Sequence, residues 1–437
     1  MNARTLGRIA DVLARDAAPV QIGRVAKVSG LLVEMTMDGV CLGGQLAIEG
    51  TGDPLVCEVV GFREERVLAI PLGPMRGIAP GSLVRRNPAS STVPVGKALL
   101  GRVVDAFARP IDGGGEIVSE HEQPLDANAP PLTDRADVSE RFDTGVKVID
   151  GMLTCGRGQR MGIFAGAGVG KSVLVEQIAR QSYADVIVVG LIGERGREVR
   201  ELLSSSVREQ MVIVAATSDK SPMERARGAR TATAIAEYFR DLGKNVLLVI
   251  DSVTRYCMAL REIGLSVGEP PATKGYPPSV FAALPQLLER VAPMRSGGSI
   301  TAFYTVLVEG DDLSDPVADS ARSLLDGHIV LSRELAARGQ FPAVDILSSA
   351  SRVSRQVASP VSQELQLQCR QLLNTRKLVA DLQSLGAYVH GSNPDYDRAL
   401  ELGQLVDRWA AQRPDERSEY SETLGGLASA LGVEVSE

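Results

Sequence analysis

Residues 164–173 read FAGAGVGKSV, and the apolar runs on either side decide what this stretch is. Before it, Met161-Gly162-Ile163-Phe164 has the texture of a short buried strand. After it, Val173 to Ala179 carries apolar residues at helical spacing. Strand, glycine-rich turn and helix are the setting of a phosphate-binding loop. Gly166, Gly168 and Gly170, with Ala167 and Val169 between them, let the backbone curl so that successive N–H groups face one anion. The positive end of the following helix dipole, whose first turn includes Val173, adds to that pull. Lys171 is placed to reach the β and γ phosphates of a nucleotide, and the Ser172 hydroxyl to take one position on Mg²⁺. The generic pattern opens with glycine, and Ala165 fills that slot. An ordinary glycine-rich turn is the plainer alternative, and the flanking strand and helix count against it.

Outward from this loop, strand-like runs alternate with helical patterns from Gln159 to about Leu331. DVIVVGLIG, MVIVAAT, NVLLVIDS and SITAFYTVLV are continuous apolar stretches, as strands buried on both faces should be. The alternation predicts an α/β, doubly wound parallel sheet with ligands at the carboxyl ends of its strands. Asp251 closes one such run, where a carboxylate holds Mg²⁺ directly or through water. Alone, that aspartate could equally cap a helix; beside a phosphate loop it points to an NTPase. Glu194 follows the strand ending at Gly193 and can face the γ-phosphate, where hydrolysis needs a group to orient the attacking water. Glu198 competes, but it shares a helical pattern with Arg195, Arg197 and Arg200, which suits a solvated ion pair. In FPAVDILSSASR, residues 341–352, Phe341 offers a flat face for an adenine ring and Arg352 an arginine that could act across a subunit boundary. The residues alone favour plainer roles, core for Phe341 and a surface ion pair for Arg352.

Bulk properties narrow the class. A chain of 437 residues with 44% apolar but only 4% aromatic content fits a soluble α/β enzyme of about three domains. A net charge of −7 argues against nucleic acid as the main partner, since neutralising phosphates needs a basic surface. No apolar run is long enough to cross a bilayer, and no signal-peptide pattern is expected at the start. Cys41, Cys57, Cys155, Cys257 and Cys369 form no CxxC pair and read as reduced thiols of a cytoplasmic protein. The three histidines lie far apart, so no zinc site is expected. Residues 1–18 pattern as an amphipathic helix, with Leu6, Ile9 and Leu13 on one face. From Val20 to about Arg86, short β-type runs with glycine and proline turns suggest a small barrel. Segment 90–150 reads as a connector dense in glycine and proline, and the chain beyond Pro360 as helical.

PAVDILSSAS resembles the signature of F- and V-type ATPase subunits. GERGREVREL, DSVTRYCMALREIGLSVGEPPATKGYPPSVFAALPQLLERV and VLVEGDDLSDPVADSARSLLDGHIVLSRELA resemble the protein-export branch. Over residues 20–410 the chain is identified as a member of the rotary-ATPase-related family of type III secretion ATPases. After the amphipathic helix read over 1–18, the resemblance implies a β-barrel over 19–90, a RecA-like nucleotide-binding domain over 91–358 and a C-terminal α-helical domain over 359–437. It also implies ATP and Mg²⁺ bound between subunits of a homohexamer. Lys171, Ser172, Glu194 and Asp251 match the phosphate, magnesium, water-activating and metal positions. Arg195 and Arg255 match arginines that brace the site, Phe341 the aromatic that stacks on adenine, and Arg352 the finger supplied in trans. The implied partners are a central stalk, peripheral stator proteins, secretion chaperones and effectors, with peripheral association at the cytoplasmic face of the inner membrane.

Within the family, ATSDKSPMERARGARTATAIAEYFRDLGKNVLL resembles the injectisome branch, and PPATKGYPPSVF is closer to the flagellar one. The glycine- and proline-rich stretch 264–278 is the expected pore-facing element, with ordinary turn structure as its alternative. An ATP synthase catalytic subunit would share the active site, but the export-branch segments speak against it. A hexameric RNA translocase would need aromatic platforms on the barrel, and segment 20–86 holds one aromatic, Phe62. A nucleotide-binding subunit without turnover would not need Lys171, Glu194, Asp251 and Arg352 together.

Overall fold

The computed structural model describes residues 21–87, 91–204, 209–308, 310, 312 and 314–433, so the helix expected over 1–18 lies outside the described residues. The chain forms two units, one ending at Ser91 and joined by Ile263–Glu269, the other made of Thr92–Glu262 and Pro270–Glu437.

In the first unit, strands β1 (Ile22–Ser29), β2 (Leu32–Thr36), β3 (Gln45–Ile48), β4 (Leu55–Arg63), β5 (Arg66–Pro71) and β6 (Leu83–Arg86) close a barrel in the order β1-β2-β5-β4-β3-β6. Alternation is what allows the closure: Gly23 and Val25 point inward while Ile22, Arg24 and Lys27 face water. Val33, Met35, Leu46, Ile48, Val59 and Val84 fill the interior. Each strand has two neighbours, so no backbone edge is left open.

The second unit begins with short strands: β7 (Thr92–Val95), β8 (Val103–Val104), β9 (His121–Pro124), β10 (Arg141–Phe142) and β11 (Cys155–Gly156). Longer ones follow: β12 (Arg160–Ala165), β13 (Val186–Ile192), β14 (Met211–Ala216), β15 (Asn245–Asp251), β16 (Ser299–Leu307) and β17 (Gly327–Val330), then the two-residue β18 (Ala350–Ser351). β7 pairs with β9 and β10 with β11, while the other eight form one sheet in the order β18-β17-β12-β16-β15-β13-β14-β8. All its pairings are parallel except that of β18 with β17. The strands β13 and β14 are buried along their whole length, which is why their sequences read as unbroken apolar runs. Segment 90–150, read as a connector, thus supplies an edge strand; two residues carry no periodicity for a sequence reading to detect.

Parallel strands put the turns after Ala165, Ile192 and Asp251 along one rim of this sheet. β18 turns back against the amino end of β17, with Gly327 opposite Ser351, so the residue after it falls on the other rim. Beyond the sheet, helices Pro360–Ser384 and Pro394–Ala410 start at Ser359 and Asn393, whose side-chain oxygens accept backbone N–H bonds. With the helix Tyr420–Leu431 they bury Leu365, Cys369, Val406, Trp409 and Leu427 in one core shared with the sheet.

Candidate active site

β12 delivers the chain to the turn 166–170, and the helix Lys171–Gln181 leaves it. Gly168 and Gly170 have φ of 79° and 91°, a region other residues rarely adopt. Val169 is buried in the core and pins the loop from below, while Ala167, Gly168, Ser172 and Val173 are exposed and Gly166 and Lys171 are buried. Anchored below, the loop is open to solvent above.

Three charged side chains meet at this rim. The Lys171 ammonium donates to Glu194 Oε1 at 3.3 Å and also to Asp251 Oδ1. Thr305 on β16 donates its hydroxyl to the same Asp251 oxygen at 2.6 Å. Lys171, Glu194 and Asp251 are 9%, 7% and 3% exposed, so two carboxyl groups share one ammonium in a poorly hydrated place. Burial, and then repulsion from Asp251, push Glu194 up to about 7, with Lys171 opposing and Glu198 adding a smaller push. Burial pulls Lys171 down, yet the attraction of Asp251 and Glu194 outweighs it and holds the ammonium above its ordinary range. Glu194 is therefore poised to take a proton near neutrality, and Lys171 stays charged. Glu198, the rival carboxylate, sits half-buried on the helix Gly196–Ser204.

The structure brings three further expected residues to the same rim. Phe341 is 43% exposed, which rules out a core role. Its ring lies against the loop: a Cβ added at Gly170 would sit 3.3 Å from ring atoms Cδ1 and Cε1. Arg255 packs behind Gly193, half-buried, with no partner for its Nε among the described residues. Arg195 follows Glu194 directly and is exposed, its carbonyl receiving the Glu198 and Val199 amides.

Arg352 is elsewhere. Its backbone N–H donates to the Asp326 carbonyl at 2.8 Å and its Nη2 to the Arg322 carbonyl at 3.2 Å. Asp326 in turn clasps Arg160, the first residue of β12. The phosphate loop begins after the sixth residue of that strand, about 20 Å away at 3.3 Å per residue. Arg352 is exposed and makes no ion pair among the described residues, so the surface-pair reading does not describe it.

Sequence reasoning missed Thr305, the second donor to Asp251. A threonine in a buried apolar strand was the available signal, but Thr301 shares it, and the partner Asp251 is set by the pairing of β15 with β16 across 54 residues.

Comparison with known proteins assigns each part. Residues 145–351 match the ATP synthase alpha/beta family nucleotide-binding domain, 23–87 the beta-barrel domain of the same family, and 358–429 the T3SS EscN ATPase C-terminal domain. A flagellum-specific ATP synthase of Pseudomonas aeruginosa is 46% identical, the match spanning 98% of this chain and 97% of that protein. A type 3 secretion system ATPase of Sinorhizobium fredii is 45% identical across 93% and 91%. The assembled ATPase EscN of the enteropathogenic E. coli type III secretion system superposes with a TM-score of 0.89 at 42% identity, covering 94% of this chain and all of that one. Barrel, nucleotide-binding sheet and C-terminal helices are matched in one continuous alignment, and this chain belongs to the family of ATPases that drive type III secretion and flagellar export.

Proposed function

We propose that the chain hydrolyses Mg²⁺-bound ATP at the boundaries between its own copies in a homohexameric ring, and that turnover drives chaperone release and unfolding of exported proteins. The observation that carries this reading is the separation of Arg352 from the phosphate loop along a single sheet. An exposed arginine on the far rim cannot serve its own loop, and it suits the loop of a neighbour. In this reading the loop amides of Gly166 to Val173 and the Lys171 ammonium hold the phosphates. Phe341 receives the adenine ring, Glu194 aligns the attacking water and accepts its proton, and Arg195 and Arg255 brace the site. Arg352 of the neighbour meets the charge growing on the γ-phosphate. Ser172 and Asp251 offer the hard oxygen donors that Mg²⁺ prefers, and the Lys171 ammonium resting on Asp251 and Glu194 marks a spot that demands positive charge. When bound there, Mg²⁺ supplies neutralisation of phosphate charge.

EscN is described as assembled, alone and in complex with its central stalk EscO, which supports a ring and a stalk partner here. Peripheral stator proteins, secretion chaperones and effectors complete the set, with the ring at the cytoplasmic face of the inner membrane. No helix among the described residues is long and apolar enough to cross a membrane, in keeping with peripheral attachment.

Two inactive variants test the shared site. Lys171→Ala lacks its own phosphate clamp and Arg352→Ala lacks what it lends. Mixed, they form some interfaces with both groups intact, and phosphate release returns to a fraction of wild type. A mixture as silent as its components, under conditions where rings form, sinks the reading. For the branch, the stretch 216–248 favours an injectisome, while identities of 44–46% to flagellum-specific ATP synthases and 45% to type 3 secretion system ATPases support the two readings equally. Deleting the gene separates them: effector secretion fails with motility intact in the first case, and the reverse holds in the second.

A further inference from the structure

Gln412 follows the helix Pro394–Ala410 and is 5% exposed. Its backbone N–H donates to the Phe341 carbonyl at 2.9 Å. Its side-chain amide is used at both ends: Oε1 accepts from the Lys147 N–H at 2.8 Å, and Nε2 donates to the carbonyls of Gly145 and Glu416, each at 2.8 Å. Two residues on, the Pro414 carbonyl accepts from Gln181 Nε2 at 2.9 Å. Gln181 is the last residue of the helix that starts at Lys171. Gly145 closes the circuit, for at φ 76° it approaches so near that an added Cβ would lie 2.7 Å from Gln181 Cβ. A continuous path of short contacts therefore runs from Phe341 through Gln412 to the turn 145–147 and the phosphate-loop helix. The Phe341 ring meets the other end of that helix at Gly170.

We infer that Gln412 is a positioning residue for the nucleotide base: without touching the ligand, it fixes the spacing between Phe341 and the phosphate loop. The inference rests on the reading that Phe341 receives the base. A glutamine suits the post because it offers two donors and an acceptor from one planar group, and here two carbonyls and one N–H surround it. Losing those bonds leaves buried backbone groups unpaired, and the loop holding Phe341 relaxes away from its bonded position. Base contacts are made alike in the ground and transition states, so the loss falls on binding and leaves the chemical step alone.

The test uses the full-length ring and compares Mg²⁺-ATP with tripolyphosphate, a competitor that keeps the phosphates and lacks the base. Gln412→Met keeps the side-chain length and removes all three side-chain bonds. It should raise KM for ATP about tenfold, with kcat within about twofold and tripolyphosphate inhibition unchanged. Adding Phe341→Ala should raise KM no further than Phe341→Ala alone, because both act through one ring. An unchanged KM in folded Gln412→Met overturns the inference, as do additive effects or an equal loss of tripolyphosphate inhibition. If Gln412→Met does not fold, Gln181→Met cuts the same path at Pro414 and should give a smaller shift of the same kind; no shift there overturns it. A wild-type KM in Phe341→Ala alone identifies the base-stacking reading as the one that fails.

Discussion

The two rims of the nucleotide-binding sheet are built on opposite plans. At the carboxyl rim, Lys171, Glu194 and Asp251 are buried together with too few countercharges, and Glu194 is pushed to about 7. At the amino rim, Arg160 is held by Asp326 and Glu289, and Arg135 also pairs with Glu289, so each acid has a base and water reaches the cluster. Arg352 stands out from that rim with no carboxylate partner among the described residues. One rim lacks positive charge and the other exposes a surplus of it. A surplus on one face and a deficit on the opposite face are complementary only between copies, which is the physical content of the ring reading.

The comparison breaks most sharply at Arg352. If the far rim supplies charge to a neighbour, Arg352→Ala should keep nucleotide binding, read with a fluorescent ATP analogue, and lose about 10³–10⁵ in kcat. Ion pairs at a solvated rim contribute only about 0–1 kcal/mol, so a purely structural arginine would cost turnover almost nothing. Near-normal phosphate release in this variant would leave the amino rim as scaffold.

The deficit at the carboxyl rim is read by pH. Glu194 must be ionised to accept a proton from water, so kcat/KM should climb about tenfold per unit below about 7 and level above it. Glu194→Gln should lower kcat by about 10²–10⁴ and abolish that limb. The stability consequence has the opposite sign. The folded state keeps the Glu194 proton to higher pH than the unfolded chain, whose carboxyl titrates near 4.5, so this group makes the fold less stable as pH rises from there to about 7. Glu194→Gln should flatten that part of the pH–stability curve in urea unfolding. A limb that survives the substitution assigns the proton to another group.

Most of the carboxyl rim was legible in the chain, because each of its parts ends an apolar run marked by its length or by the turn after it. β13 and β15 announce themselves by length and β12 by the glycine-rich turn after it, and their ends lead to Glu194, Asp251 and the phosphate loop. What length cannot carry was lost. β8 and β18 have two residues each, too few for any period, although β18 is what sends Arg352 to the far rim. Phe341 and Arg352 were legible only through family resemblance, since the contact of Phe341 with Gly170 spans 171 residues and follows from packing. Gln412 had no such help, for three of its four partners lie in two distant segments, 145–147 and Phe341, and no local pattern marks it.

The smallest expected effect sharpens where the carboxyl rim ends. Thr305 gives one hydrogen bond to Asp251 Oδ1, while Lys171 already holds the same oxygen. Thr305→Val keeps the shape of the side chain and removes the donor, so Asp251 loses orientation and keeps its charge partner. A hydrogen bond to an ionised group is worth about 1.5–3 kcal/mol in full, and sharing the oxygen with an ammonium reduces that. Accordingly kcat/KM for ATP should fall by about tenfold or less, far short of the loss from Arg352→Ala. A larger fall would mean that the hydroxyl acts on the reacting groups themselves. The rim would then extend onto β16, and the strand pairing that hides Thr305 from a sequence reader would be part of the catalytic design.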